Sequence, residues 1–208
     1  MIIKICGITQ LENLKELSSL PVDWFGFIRY EPSKRYVKNE GILKEDTPQK
    51  KVVVFVDEEM ENMKSFLKKY PVELVQLHGF ESIETCRELR KNGYKVIKAF
   101  SVDKEFHFEK TRPYEAVCDF FLFDTKGRNP GGNGQRFDWS VLKKYNGSIP
   151  FLLSGGIGLE HIEDLKKFKH PKWAGIDLNS QFEVEAGVKE VGKVREIIKG
   201  LGDREIGG

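Results

Sequence analysis

Short apolar, β-branched and aromatic runs recur along the chain. They span Ile2 to Cys6, Trp24 to Ile28, Val52 to Val56, Leu74 to Leu77, Lys95 to Ala99, Phe120 to Phe123, Phe151 to Leu153 and Ala174 to Leu178. Within most of them residues of both parities are apolar, the pattern of strands buried on both faces. Between most of the runs the period becomes helical. Leu11, Leu14 and Leu17 form a stripe, and Thr9-Gln10-Leu11-Glu12 reads as a capping box at its start. Glu58 to Tyr70 carries Met60, Met63, Phe66 and Leu67. The segment from Ser82 carries Ile83, Cys86 and Leu89 and stops at Gly93. Further helices are predicted to begin near Asp103, Phe137, Leu159 and Lys189. The link after the second strand, Lys38 to Leu43, is poorly marked.

Eight strand-then-helix units predict an α/β protein with a parallel eight-stranded barrel, the (β/α)8 or TIM fold, at the short end of its usual length. A doubly wound open sheet is the rival. No GxGxxG follows the first strand, which weakens its dinucleotide-binding form. The expected organisation is one barrel domain over residues 1–200 and a flexible tail over 201–208.

Composition narrows the function classes. Of 208 residues, 39% are hydrophobic and 32% charged, enough for a core and a charged surface. The net charge is +2 with both signs interspersed, so there is no electrostatic case for nucleic acid or a membrane surface as partner. No run approaches the ~20 apolar residues of a membrane span, and the N-terminal residues lack a signal-peptide pattern. Three widely spaced cysteines without a CxxC pair argue against a disulfide framework or a zinc site. A cytoplasmic location is the expectation.

In a barrel, chemistry belongs at the C-terminal strand ends. Standing there are Cys6, Arg29 with Arg35 nearby, Asp57, His78, Asp124, Ser154-Gly155-Gly156, and Asp177 to Ser180. Cys6 and Asp124 are the acid–base candidates. A thiol near a helix N-terminus can become a thiolate, and an aspartate at a closed mouth can hold a proton. Taken alone, Cys6 reads more readily as a packing residue, and Asp124 is as readable as the cap of a turn. Cys86, on a helix stripe, and Cys118, at the opposite end of its strand, read as structural. Gly155 and Gly156, followed one unit later by Asn179 and Ser180, fit a phosphate site built from the last two loops, although a plain turn also explains an SGG. Arg35 offers a planar fork for a carboxylate, or else sits in a solvated basic turn. His78 reads more readily as an oriented structural histidine than as an acid–base group. Residues 124–136, with four glycines, read as a mobile lid or a plain connection. With four histidines and only one at a strand end, no metal site is expected.

Five blocks carry a family resemblance: KICGIT (4–9), SKRY (33–36), VQLHG (75–79), FDTK with GGNGQRFDW (123–126 and 131–139), and LLSGGI (152–157). In order and spacing they resemble phosphoribosylanthranilate isomerase over nearly the whole chain. The resemblance implies a (β/α)8 barrel in tryptophan biosynthesis. It implies an Amadori rearrangement of N-(5-phosphoribosyl)anthranilate to 1-(2-carboxyphenylamino)-1-deoxy-D-ribulose 5-phosphate, without cofactor. It makes Cys6 the general base and Asp124 the general acid, and gives Arg35 to the anthranilate. It also assigns Gly155 and Gly156 to the phosphate, with the loop holding Asn179 and Ser180. His78 and Asp177 complete the substrate-binding candidates. The family's DVSSGVE is here Asp177-Leu-Asn-Ser-Gln-Phe-Glu183, keeping Asp177, Ser180 and Glu183 but losing the glycine at Gln181. The implied partner is a small sugar phosphate, and the implied assembly is a monomer or homodimer. Other readings of the residues are another phosphate-binding barrel, such as an indole-glycerol-phosphate synthase or a pentose-phosphate epimerase, and a non-catalytic phospho-ligand binder.

Overall fold

Strands apolar on both faces are buried most completely when their sheet closes and helices cover it. The computed structural model describes residues 1–125 and 138–202. In it β1 (Ile2–Cys6), β2 (Trp24–Ile28), β3 (Lys50–Phe55), β4 (Leu74–Leu77), β5 (Lys95–Val102), β6 (Phe120–Thr125), β7 (Phe151–Leu153) and β8 (Trp173–Leu178) close into a barrel in chain order. β8 returns to β1 in parallel register, with Lys4 opposite Asp177. The predicted fold is therefore the observed one, and all eight strands lie where the periodicity put them.

The two faces of each strand do different work. Trp24, Val52, Leu74, Ile97, Ala99, Leu122 and Leu152 form one buried cluster, each from the inward face of its strand. The opposite parity, such as Ile3, Ile5, Phe25, Val53, Val75 and Phe121, joins the larger core beneath the helices. Moving two residues up a strand keeps the face, so the positions above the inner cluster point into the mouth. That rule carries Leu74 to Gln76 and His78, Leu122 to Asp124, and Leu152 to Ser154.

The connections are more irregular than predicted. True α-helices are α1 (Leu11–Ser18), α2 (Met60–Leu67), α3 (Ile83–Lys91), α4 (Ile162–Lys167) and α5 (Val191–Gly200). The links at Glu40–Lys44, Phe108–Tyr114 and Trp139–Lys144 are 3-10 turns. In the second, Pro113 removes a donor and disfavours an α-helix. Asp103, where a helix was expected, instead accepts the Glu105 N–H at 3.1 Å, an Asx turn. The expected capping box at Thr9 is absent. Its hydroxyl donates to the Gly187 carbonyl at 3.0 Å, and Gln10 is the N-cap residue. The reason is a short hairpin after β8, made of β9 (Glu183–Glu185) and β10 (Val188–Lys189), which packs on this turn and competes for the hydroxyl. Phe137 and residues 126–136 of the expected lid lie outside the described residues, as do 203–208 of the expected tail. Among the described residues no helix is long and apolar enough to cross a membrane.

Candidate active site

One cavity opens at the C-terminal ends of the strands. Cys6, His78, Asp124, Ser154, Gly155, Gly156, Asp177, Asn179 and Ser180 all line it, with Gln76 and Gln181. Eight of the nine side chains or loop glycines named as candidates thus meet in one place, together with Ser154. The exception, Arg35, does not line the cavity, although Tyr30 and Ser33 of its loop do.

Cys6 ends β1 beside Gly26 of β2, its register partner. A Cβ on Gly26 would stand 2.7 Å from Cys6 Sγ and 3.0 Å from its Cα, so only glycine leaves room for the sulfur. Gly26→Ala is expected to displace the thiol, costing about 1–3 kcal/mol of stability. It should lower kcat at least tenfold, roughly 1.4 kcal/mol of barrel-mouth geometry. Steady-state turnover together with a thermal melt would check both.

Two positions below the thiol, on the same face, lies Lys4. It is fully buried, and its ammonium donates to Asp177 Oδ1 at 2.7 Å. Ser154 Oγ donates to the other oxygen at 3.3 Å. Burial lowers the Lys4 pKa, but the charges of Asp177 and then Cys6 outweigh it and hold the amine cationic. For Cys6, burial pushes the thiol pKa up, and Lys4 offsets part of that rise. Lys4→Met would leave the Asp177 carboxylate buried without its cation, and about 3–5 kcal/mol of stability should be lost. Lys4→Met combined with Asp177→Asn should recover most of it. Urea unfolding of the two proteins gives the comparison.

Across the mouth, Asp124 is the last residue but one of β6. Its Oδ1 accepts the Thr125 N–H at 2.8 Å, and its Oδ2 lies 3.3 Å from His78 Nε2. The loop after β7 comes close behind. Gly155 has φ +86°, and a Cβ there would stand 2.7 Å from Asp124 Oδ1 and overlap Thr125. Both the backbone angle and the space require glycine. The SGG turn therefore does more than reverse the chain, since it abuts the Asp124 carboxylate.

The loop after β8 is braced from within. Lys189, 2% exposed, donates to Asn179 Oδ1 at 2.7 Å and to Glu183 Oε1 at 2.5 Å. Burial lowers the Lys189 pKa. Glu183 also takes a forked pair of bonds from Arg35 Nε and Nη2 at 2.6–3.0 Å. Burial would raise the Glu183 pKa, but Arg35 and Lys189 reverse this and hold it below the usual carboxylate range. The hydrogen bonds to Glu183 hold the Arg35 guanidinium more firmly cationic. The Asn179 side-chain oxygen is thus committed to Lys189.

A family model described as N-(5'-phosphoribosyl)anthranilate isomerase matches residues 3–200. The chain belongs to this isomerase family. It is 47% identical over 204 residues to the N-(5'-phosphoribosyl)anthranilate isomerase of Parabacteroides distasonis, covering 96% of this chain and 92% of that one. To the enzyme of Phocaeicola vulgatus it is 41% identical, covering 97% and 98%. Among solved structures, the phosphoribosyl anthranilate isomerase of Thermotoga maritima superposes with a TM-score of 0.86 at 34% identity, covering 97% and 98%. Another isomerase of the family, TM-score 0.82 at 32% identity over 97% and 98%, was solved in complex with reduced 1-(o-carboxyphenylamino)-1-deoxyribulose 5-phosphate. This chain is accordingly an enzyme of the aldose–ketose isomerase kind.

Three residues that line or brace the site escaped the reading of the sequence. Lys4 had a signal, a charge inside an apolar strand at the parity of Cys6. Gln76 had a similar one, two positions before His78. Lys189 had none, because it stands where a helix start was expected.

Proposed function

We propose that this chain converts N-(5-phosphoribosyl)anthranilate to 1-(2-carboxyphenylamino)-1-deoxy-D-ribulose 5-phosphate, with Asp124 as general acid and Cys6 as general base. The observation that carries this reading is the placement of the two groups. They stand at the C-terminal ends of β1 and β6 and line one cavity, which Ser154, Gly155 and Gly156 also line. Asp124 gives a proton to the ribose ring oxygen, and the C1′–O bond breaks as the anilino nitrogen forms a Schiff base. The Cys6 thiolate then takes the C2′ proton. The resulting enol loses its O2′ proton and gains one at C1′, so the reaction is proton-neutral overall.

The backbone N–H groups of the SGG turn and of the Asn179–Ser180 loop hold the phosphate, in the manner of barrel loops seven and eight. Arg35 takes the anthranilate carboxylate through Nη1, the edge its bonds to Glu183 do not use. Asp177 positions the sugar, and His78 packs beside it in the same cavity. The enzyme needs no cofactor. It works in the cytoplasm, where its three free thiols suit a reducing environment. It acts as a monomer or a homodimer, and a relative from Thermotoga maritima is dimeric.

The test is a fluorescence assay of phosphoribosylanthranilate consumption by the purified protein. Turnover at ordinary enzymatic rates, about 1–10³ per second, is the expected result. Binding without turnover would replace this reading with that of a phospho-ligand binder.

A further inference from the structure

Gln76 lies on the inward face of β4, two positions before His78, and both line the mouth. Its side chain is buried. Its amide Nε2 lies 2.8 Å from His78 Nδ1, and its Oε1 has no hydrogen-bond partner among the described residues. Packing gives no reason for this residue. A methionine would fill the space without leaving a dry acceptor. What Gln76 supplies is its one hydrogen bond, and that bond goes to a ring nitrogen.

A ring nitrogen that accepts a hydrogen bond carries no proton, so a neutral imidazole must then carry its proton on the other nitrogen. That nitrogen, His78 Nε2, faces Asp124 Oδ2 at 3.3 Å. We propose that Gln76 is a positioning residue for the isomerisation. It holds His78 as the neutral Nε2–H tautomer, so that the ring proton faces the carboxylate oxygen that gains charge when Asp124 protonates the substrate. The inference rests on Asp124 being the general acid. A hydrogen bond to a charged acceptor is roughly twice as strong as one between neutral groups. The Nε2–H therefore stabilises the product carboxylate more than the starting acid and lowers the barrier between them. The opposite tautomer would turn a lone pair toward the new charge and raise that barrier.

Nuclear magnetic resonance of isotope-labelled histidine nitrogens reads the tautomer in the unmodified protein, with the His78 signals assigned from a His78→Asn variant. Nε2–H at neutral pH is expected, and a predominant Nδ1–H form would overturn the proposal. Gln76→Met should lower kcat at least about tenfold with KM changed less than about threefold, the split expected when an interaction matters in the transition state. Gln76→Glu, which can only accept, should draw the ring proton to Nδ1 and lose more activity. Normal kcat in both variants, with circular dichroism unchanged, would also overturn it. Asp124→Asn separates the two layers of the argument. Turnover retained there removes the acid assignment itself, whereas an inactive Asp124→Asn beside a normal Gln76→Met removes only the role of Gln76.

Discussion

Cys6→Ala is expected to lower kcat by roughly 10²–10⁴-fold, the usual contribution of a positioned base, while the barrel stays folded. The step lost is removal of the C2′ proton, which no other group can take over at that place. The nearest amine, Lys4, two positions below on the same face, is held cationic by Asp177 and has no lone pair to offer. Folding should survive because the change deletes one sulfur from a site at the barrel mouth. Cys6→Ser, closer in shape, should be about as inactive, because a hydroxyl ionises far less readily than a thiol. The pH profile gives a second readout. Burial raises the Cys6 pKa, and Lys4 reverses only part of that. The base must be the thiolate, so kcat/KM should rise with pH through the ordinary thiol range, about 8.5, and keep rising above it. Steady-state assays across pH, with circular dichroism on each variant, measure both effects. Near-normal turnover in Cys6→Ala would end the assignment of the base.

Asp124→Asn should cost a comparable roughly 10²–10⁴-fold in kcat. The substitution keeps the size and leaves an oxygen to accept the Thr125 N–H, now 2.8 Å from Oδ1. It removes the proton that opens the ribose ring. The new amide would also place its own donor against His78 Nε2, where a carboxylate oxygen now lies at 3.3 Å. KM should move little, since the loss falls on the chemical step. Rapid mixing under single-turnover conditions would place the defect at ring opening. A protein that binds substrate normally and still turns over at the wild-type rate would contradict the role. The Cys6→Ala and Asp124→Asn losses should not add in the double variant, because neither proton transfer is productive without the other.

Most of the fold was legible in the chain because burial on both faces leaves a local mark. Val52 to Val56 and Phe120 to Phe123 are apolar at every position, as strands of a covered parallel sheet are. The connections were less legible. Phe108–Tyr114 and Trp139–Lys144 carry apolar residues at near-helical spacing, yet they fold as 3-10 turns. Pro113 in the first removes a backbone donor, and neither segment reaches two α-helical turns. The hairpin after β8 was missed, since its strands of three and two residues are too short to show alternation.

By itself the sequence determined the number and parity of the strands, and with them which residues stand at the chemical end of the barrel. Cys6, His78, Asp124 and Ser154-Gly155-Gly156 followed from that placement alone. Tertiary structure decided how those groups are wired. Lys4 reaches Asp177 across 173 residues of chain. Arg35 is braced by Glu183 across 148, and Gln76 reaches Asp124 only through the ring of His78. The difference is physical. Burial and secondary structure repeat with the period of the backbone, so they print a pattern on the chain. A hydrogen bond between strands brought together by closure depends on where the barrel places two side chains, and no local period records that.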